Sequence, residues 1–380
     1  MDSRSSATLR ANRPSNVVGC FSVNQQQNLR TRRLRTLTWG AIPVVLTGAL
    51  LSVDHIPGTD ITLTVPYAAE GPGPVVDTLG EVEGMQVVDV EAPETYQPTG
   101  QLNMTTVSVR TNMTMAQALG RWLFTDDTLV PIENIIPQGK TDEEVQEANQ
   151  QAFTQSESAA TVAAMDYLNK PVRVEVAQVL DDAPAASTLH DGDIITAVNS
   201  EPVTEPGEVQ EKIRGLAPGD DVALDITRDG KDRTEKVTLG AHPEDKDIPL
   251  LGILMTSVPT EDITVDYNLQ DIGGPSAGMM FTLAVIDKLS TEDLTGGTTV
   301  AGTGTIGEDG QVGPIGGIVH KVRASRDAGA QLFLSPAENC AEAISRDTGD
   351  MVVAKVHTLD DAITAMHDFA AGDEVETCAK

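Results

Sequence analysis

The chain has 380 residues, with 26 Lys and Arg against 57 Asp and Glu, a formal net charge of −31. That length allows two or three folded units, and the acidity excludes a nucleic-acid partner gripped by its phosphates while describing a soluble, self-repelling exterior. Three cysteines without CxxC or zinc-ligand spacing point to no metal site, and no cofactor is expected.

The basic residues crowd the beginning. Arg30, Arg32, Arg33 and Arg35 precede "TLTWGAIPVVLTGALLSV", residues 36–53, which carry no charge. As a helix this run rises about 27 Å, close to the hydrocarbon thickness, with Trp39 near the arginine end where an interfacial ring belongs. The reading is a single-pass transmembrane helix, with 1–35 a cytoplasmic basic tail by the positive-inside rule and everything from Asp54 outside the membrane. A cleaved signal peptide and a buried core helix are the other readings, and "LSVDHIPG" gives the first of them a poor cleavage site. In this topology Cys340 and Cys378 lie where a disulfide is permitted. Spacing alone puts ahead the alternative, a buried Cys340 and a free Cys378 thiol.

Beyond Asp54, "ITLTVP" at 61–66 alternates as a strand, Glu70 to Pro74 reads as a loop, "QLNMTTVSV" at 101–109 as a strand and "MTMAQALGRWLF" as a helix. A polar, alanine-rich helix is expected between Thr141 and Lys170, opened by a Thr141/Glu144 capping box, with its acidic first turn suiting the helix dipole. From Pro171 the texture changes to short strands, "VRVEVAQVL", "GDIITAVN", "DVALDITRDGK" and "RTEKVTLG", around one helix, "PGEVQEKIRGL". An Asp-Gly pair marks a hairpin. The "APAAS…LHDGDIITAVNSEPV" run makes residues 171–247 resemble a PDZ domain of the kind found in bacterial proteases. That resemblance implies that a peptide adds as a strand to a sheet edge beside a helix. Val172, Arg173 and Val174, continuing to Val176, would form the edge, facing Val209 and Ile213, four apart on one helix face. The family's carboxylate-gripping loop, glycine-rich with an apolar residue, would fall on "LNKPV", which lacks the glycine. A small β-domain that only fixes geometry is the bland alternative.

The last block, 248–375, alternates strands and helices in an α/β manner: "DITVDYNL" as a strand, Pro275–Leu289 as a helix, "GGTTVAGTGTI" as a strand pair, and Gly317–Ala328 as a helix stopped by Gly329. After "QLFLS" a helix is expected with a Ser335/Glu338 capping box and Pro336 at its first position, followed by "MVVAKVH" and "TLDDAITAMHDFAAG". Within this block "DIGGPSAGMM" surrounds Ser276 with small residues. A serine at a helix start reads first as a cap. The surplus glycines, Gly273, Gly274 and Gly278, go further: they let a peptide backbone approach the hydroxyl and leave helix-start amides to hold an oxyanion. Such a nucleophile needs a base, and no histidine motif supplies one. Lys321, in "VGPIGGIVHKVRAS", lies beside Val319, Val322 and Ala324. A lysine on a helix is ordinarily a solvated residue. Buried there instead, its pKa would fall from about 10.4 toward neutrality and free its amine to take a proton.

"GPSAG", "AGTGTIG" and "PIGG…K" together resemble the proteolytic domain of the Lon family, which uses a Ser-Lys dyad. The resemblance implies Ser276 as nucleophile, Lys321 as general base and Thr303 as the threonine that orients it. It also implies an oxyanion site on backbone amides near Ser276, its own or that of Ala277, supported by Gly274. Many members carry an acid three residues before the serine, where this chain has Gly273, with Asp271 two positions away. No GxxxxGK[ST] phosphate loop occurs, so ATP-driven unfolding is not expected. Anchor, PDZ and Lon-like segments in series resemble the YlbL-type PDZ-containing proteases of bacteria. Because residues 96–119 resemble the strand and helix near the start of a Lon domain, 54–170 is expected to hold its first part, with the PDZ module inserted.

The expectation is therefore an α+β multidomain protein: a transmembrane helix, a PDZ-like β-rich domain and a Lon-type α/β proteolytic domain. It would be an ATP-independent serine endopeptidase anchored in the lipid bilayer, outside the cytoplasm. It would act on extended or unfolded polypeptides and bind peptides or protein C-termini through its PDZ domain. The family's side-to-side contacts would make it a homo-oligomer. A catalytically silent PDZ scaffold is the alternative.

Overall fold

The computed structural model describes residues 58–379 apart from 60, 138, 261 and 270–273, and before them residues 41, 47, 48 and 50–56. Most of the uncharged run 36–53, together with Asp271 and Gly273, lies outside the described residues. Among those described, no helix is long and apolar enough to cross a membrane. The chain divides into two units, the first comprising residues up to Val65 with 112–120. In it Thr62 bridges His55, Thr64 bridges Thr114, and the Val65 amide donates to Met113. The expected 61–66 strand is thus a pair of isolated bridges, because neither partner segment continues alongside it. The helix α1 (Met115–Phe124) begins within this unit.

Two main sheets dominate the second unit. The larger draws on both ends of the chain: β1 (Tyr67–Asp77), β3 (Gln101–Arg110) and β4 (Thr128–Pro131) from one side of the PDZ-like segment, and β11 (Thr299–Gly302), β12 (Leu332–Pro336) and β13 (Val352–Val356) from the other. Their order is β13-β12-β11-β3-β1-β4, with β3, β11, β12 and β13 parallel and β1 antiparallel to both its neighbours. The expected loop at Glu70–Pro74 is the middle of β1. Pairing with β4 ends at Glu70, and the register against β3 shifts between Pro72 and Val75. Prolines on a one-sided, bulged stretch remove no ladder bond. Between β1 and β3 a short strand β2 (Val88–Glu91) pairs antiparallel with β10 (Thr264–Tyr267).

Helices cover both faces of this sheet. α4 (Gly278–Leu289) is apolar almost all round and buries Met279, Met280, Phe281 and Leu283. It packs with α6 (Leu359–Ala371) over Leu102, Val300, Leu332 and Leu334. The alternate residues Ala301, Phe333 and Val353 face Ile318 and Val322 of α5 (Ile318–Asp327). This is the period-two division of a strand with both faces buried. A helix that is apolar all round must be covered on every side, and α2 (Asp142–Tyr167) supplies the remaining cover. Its Phe153 meets Phe281 edge-on, with ring centres 5.7 Å apart, and the Thr141/Glu144 capping box is formed.

The smaller sheet has the order β8-β7-β6-β5-β9, from β5 (Val172–Val179), β6 (Ile194–Val198), β7 (Asp221–Arg228), β8 (Lys231–Thr238) and β9 (Ile253–Pro259). Asp229 and Gly230 make the hairpin turn between β7 and β8 with φ of 52° and 70°. α3 (Pro206–Arg214) closes this core with Val209 and Ile213. The position of β5 corrects the expected peptide edge: β9 pairs antiparallel along its whole length, from Ile253↔Val179 to Pro259↔Val172. Val172, Arg173 and Val174 are therefore on an interior strand, and the edge strand is β9.

Two further expectations change near the C-terminus. Ser335 is a buried strand residue whose hydroxyl donates to the Pro336 carbonyl, and the turn after it has no side-chain cap. Strand register with β13 claims Ser335 and Pro336, so the capping box cannot form. Cys340 and Cys378 are joined as a disulfide, their Cα atoms 5.1 Å apart across 38 residues. The tail reaches Cys340 because Cys378 donates its amide to Val353 and Thr377 bridges Ala354, along the free side of β13. Closing a loop of that length removes about 3 to 4 kcal/mol of chain entropy from the unfolded state.

Candidate active site

Ser276 sits in a single 3-10 turn, Pro275–Ala277, that leads into α4. Its hydroxyl caps neither helix start, which removes the plain capping explanation. Gly274 before it has φ 96° and ψ 153°, a conformation open only to glycine. The loop after β11 fixes the serine from the other side: the Gly304 amide (2.9 Å) and the Thr303 hydroxyl (3.0 Å) both donate to the Ser276 carbonyl.

Lys321 arrives from the first turn of α5. That helix starts at Gly317 with φ 67°, and a Cβ there would lie 2.7 Å from Val107 Cγ1 of β3, so glycine lets the helix begin close against the sheet. The lysine is 2 % exposed and Thr303 0 %. Its Nζ donates to Ser276 Oγ at 2.8 Å and to Thr303 Oγ1 at 2.9 Å. Among the described residues no carboxylate pairs with it. Burial alone pushes its pKa down to about 8. An unpaired ammonium is costly in such a place, and shedding its proton relieves the cost.

Thr303 and Lys321, separated in sequence from Ser276, are thus brought to it. The amides of Ser276 and Ala277 lie in the turn that opens α4, the helix-start position from which backbone N–H groups meet an incoming oxyanion. His320, next to Lys321, turns away: its Nε2 lies 3.0 Å from Thr128 Oγ1, and burial holds its pKa below the usual value. Two supports carried no motif. α2 accepts the Gly274 amide on the Asn149 carbonyl (3.3 Å), and its buried Ser156 donates to the Pro275 carbonyl (3.1 Å). Ser156 also lies so close to Gly278 that a Cβ there would be 2.6 Å from its Oγ. Only the polar character of that helix hinted at such a role.

Gly274→Ala should therefore act through the backbone. A Cβ would meet nothing within 4 Å, so the strain is conformational, and it lies two residues from the nucleophile. A displacement near 1 Å would lower kcat about 100-fold with KM little changed. Steady-state cleavage of a fluorogenic peptide measures the split.

In the smaller sheet, Val209 and Ile213 of α3 are buried core residues. α3 meets β9, where Ile253 and Met255 of the strand and Leu216 just past the helix are half-buried. At the head of β9 Gly252 has φ 81°, and a Cβ would lie 2.3 Å from that of Ala183. The amides of Leu251 and Gly252 have no acceptor among the described residues. Successive unpaired amides at a positive-φ glycine form an anion-binding concavity. "LLGI", residues 250–253, has the apolar-glycine-apolar pattern that "LNKPV" lacks.

Comparison with known proteins divides the chain in a similar way. Residues 144–239 match the family model of the PDZ domain, and residues 270–366 match that of the Lon protease (S16) C-terminal proteolytic domain. A DegP-like periplasmic serine endoprotease of Ectopseudomonas mendocina is 38 % identical over 79 residues, 20 % of this chain and 17 % of that protein. Its counterpart in Brucella suis is 43 % identical over 72 residues, 19 % of this chain and 14 % of that one. The chain thus spans about a sixth of the curated relatives it matches. Among solved structures, the PDZ domain of an SdrC-like protein from Listeria monocytogenes is 30 % identical, with a TM-score of 0.20, covering 22 % of this chain and 85 % of that one.

Proposed function

Because the chain joins a PDZ domain to a Lon-type C-terminal proteolytic domain, the make-up of a PDZ-containing Lon-like protease, we propose that it is a serine endopeptidase working through a Ser276–Lys321 dyad. The observation that carries this reading is the buried amine 2.8 Å from the serine hydroxyl, with no carboxylate among the described residues to hold its proton. Neutral Lys321 accepts the Ser276 proton as Oγ attacks the substrate carbonyl, and the negative charge settles on the Ser276 and Ala277 amides. Collapse breaks the C–N bond while Lys321 returns the proton to the leaving amine, and water then releases the acyl group by the reverse path. Thr303 accepts an Nζ–H while its own hydroxyl donates to the Ser276 carbonyl, which fixes the direction of the amine.

The PDZ groove in this reading runs between β9 and α3, with a terminal carboxylate on the Leu251 and Gly252 amides and apolar side chains on Ile253, Met255 and Leu216. The uncharged run 36–53 supports a membrane anchor, and the Cys340–Cys378 bridge supports an oxidising exterior. The lack of a phosphate-loop sequence in these residues supports action without ATP. Substrates are extended or unfolded segments, since the dyad needs a peptide bond with its backbone exposed. The test is cleavage of fluorogenic casein by the purified full chain. Cleavage that Ser276→Ala abolishes is expected. Persistent cleavage in that variant, or peptide binding without cleavage or serine labelling, overturns the proposal in favour of another nucleophile or of a scaffold.

A further inference from the structure

The turn of α2 that supports the nucleophile also touches the edge strand of the smaller sheet. Ser156 donates to the Pro275 carbonyl, next to Ser276. Two residues on, Ser158 accepts the Ser257 amide of β9 at 3.0 Å. Ser156, Ser158 and Ser257 are 5 %, 4 % and 3 % exposed. The Ser257 amide therefore points away from β5, along the side of β9 on which an added strand would pair, and a helix hydroxyl already fills that place. The Ser257 hydroxyl beside it is buried without a partner among the described residues. A buried hydroxyl left unpaired carries an uncompensated desolvation cost, so this junction is held below its best hydrogen bonding.

We propose that Ser156 and Ser158 are positioning residues that tie the nucleophile turn to the peptide-receiving edge, so that a peptide long enough to reach Ser257 slows the protease. The inference rests on the groove and dyad proposed above. A peptide with its carboxylate on the Leu251 and Gly252 amides runs antiparallel to β9 and meets the Ser257 amide about five residues from its own C-terminus. A shorter peptide leaves the Ser158 bond in place. A longer one offers its own carbonyl to Ser257 and displaces Ser158. The α2 turn is rigid across two residues, so the Ser156 hold on Pro275 loosens with it and Ser276 drifts from Lys321. The C-terminal ends of cleaved polypeptides are then feedback inhibitors, graded by length rather than by affinity alone.

The experiment uses the full chain and two acetylated peptides ending in the same four apolar residues, one of four residues and one of nine, with a C-terminally amidated form of the longer. Binding is read by fluorescence polarisation, and dyad competence by the rate of Ser276 labelling with a fluorophosphonate. Both free acids are expected to bind. Only the nine-residue acid should slow labelling, threefold or more at saturation, and the amide should not, which excludes simple occupation of the active site. In Ser156→Ala and Ser158→Ala the long acid should still bind yet lose its effect, which a merely structural role for these serines would not produce. Equal effects of both lengths, no effect of the long acid, or an effect surviving in both variants overturns the proposal, and the length series on the unaltered chain decides it even if the variants fail to fold. Failure of every peptide to bind would instead overturn the groove, and absence of labelling in the free protein would overturn the dyad.

Discussion

Lys321→Met and Ser276→Ala are each expected to lower kcat on casein roughly 1,000-fold or more, with the protein still folded. The two residues act as one unit: the hydroxyl is a weak nucleophile until the amine 2.8 Å away takes its proton. Removing both should therefore cost little more than removing either, and the double variant is the sharper measurement. Lys321→Arg should be as inert as Lys321→Met, since a guanidinium keeps its proton at any working pH and cannot be a base. Thr303→Val should cost far less, about tenfold, because it removes only the partner that aims Nζ while leaving the amine buried. Strict additivity of the two main variants, or activity in Lys321→Arg, would mean that some other group accepts the proton.

These residues were legible before the structure because their chemistry is written locally. Gly274 and the Pro-Ser-Ala turn need one another within four positions, and the Gly316-Gly317 pair announces a helix that starts tight against a sheet. Their meeting is not local: Ser276 and Lys321 come together because β11 and the loop after it pass between them, and the Thr303-Gly304 step of that loop grips the serine. Pairing between distant strands was the opaque part. "ILMTSVP" reads as a strand anywhere, yet nothing in it says that it closes over β5 and takes the edge from Val172–Val176. β1 was hidden for the opposite reason, since Gly71 to Pro74 has turn chemistry that a bulged, one-sided stretch absorbs. Ser335 shows a local capping signal losing to a tertiary one, the parallel ladder of β12 with β13. Cys340 and Cys378 pair because the tail lies along β13, which no spacing rule reports. Ser156 was invisible because a serine in a polar helix is ordinary until another loop is laid against it.

The rate of Ser276 acylation is expected to rise about tenfold per pH unit up to about 8 and to level off above it, because the working form of Lys321 is the neutral amine. The same burial sets a stability signature of definite sign. The folded value, about 8, lies below the ordinary lysine value of 10.5, so between those two pH values the unfolded chain holds a proton that the folded chain has released. Stability from this group therefore rises with pH across that window. Below about 8 both states carry the proton, and the cost of burying the ammonium is present in full, about 3 kcal/mol for a shift of this size. Lys321→Met should accordingly be more stable than the natural chain at pH 7, by about 2 kcal/mol once the lost hydrogen bonds to Ser276 and Thr303 are allowed for, with the advantage vanishing toward pH 10.5. Glu157, pushed up to about 7 by burial, and Asp287, pushed up to about 6 by burial, titrate nearby and would blur an absolute slope. They are common to both proteins, so the difference in unfolding free energy between the two, followed against pH by denaturant titration, isolates the lysine. A difference that stays flat from pH 7 to 10.5 would mean that Lys321 keeps its proton in the folded protein throughout, and a rate plateau near pH 8 would then need another base.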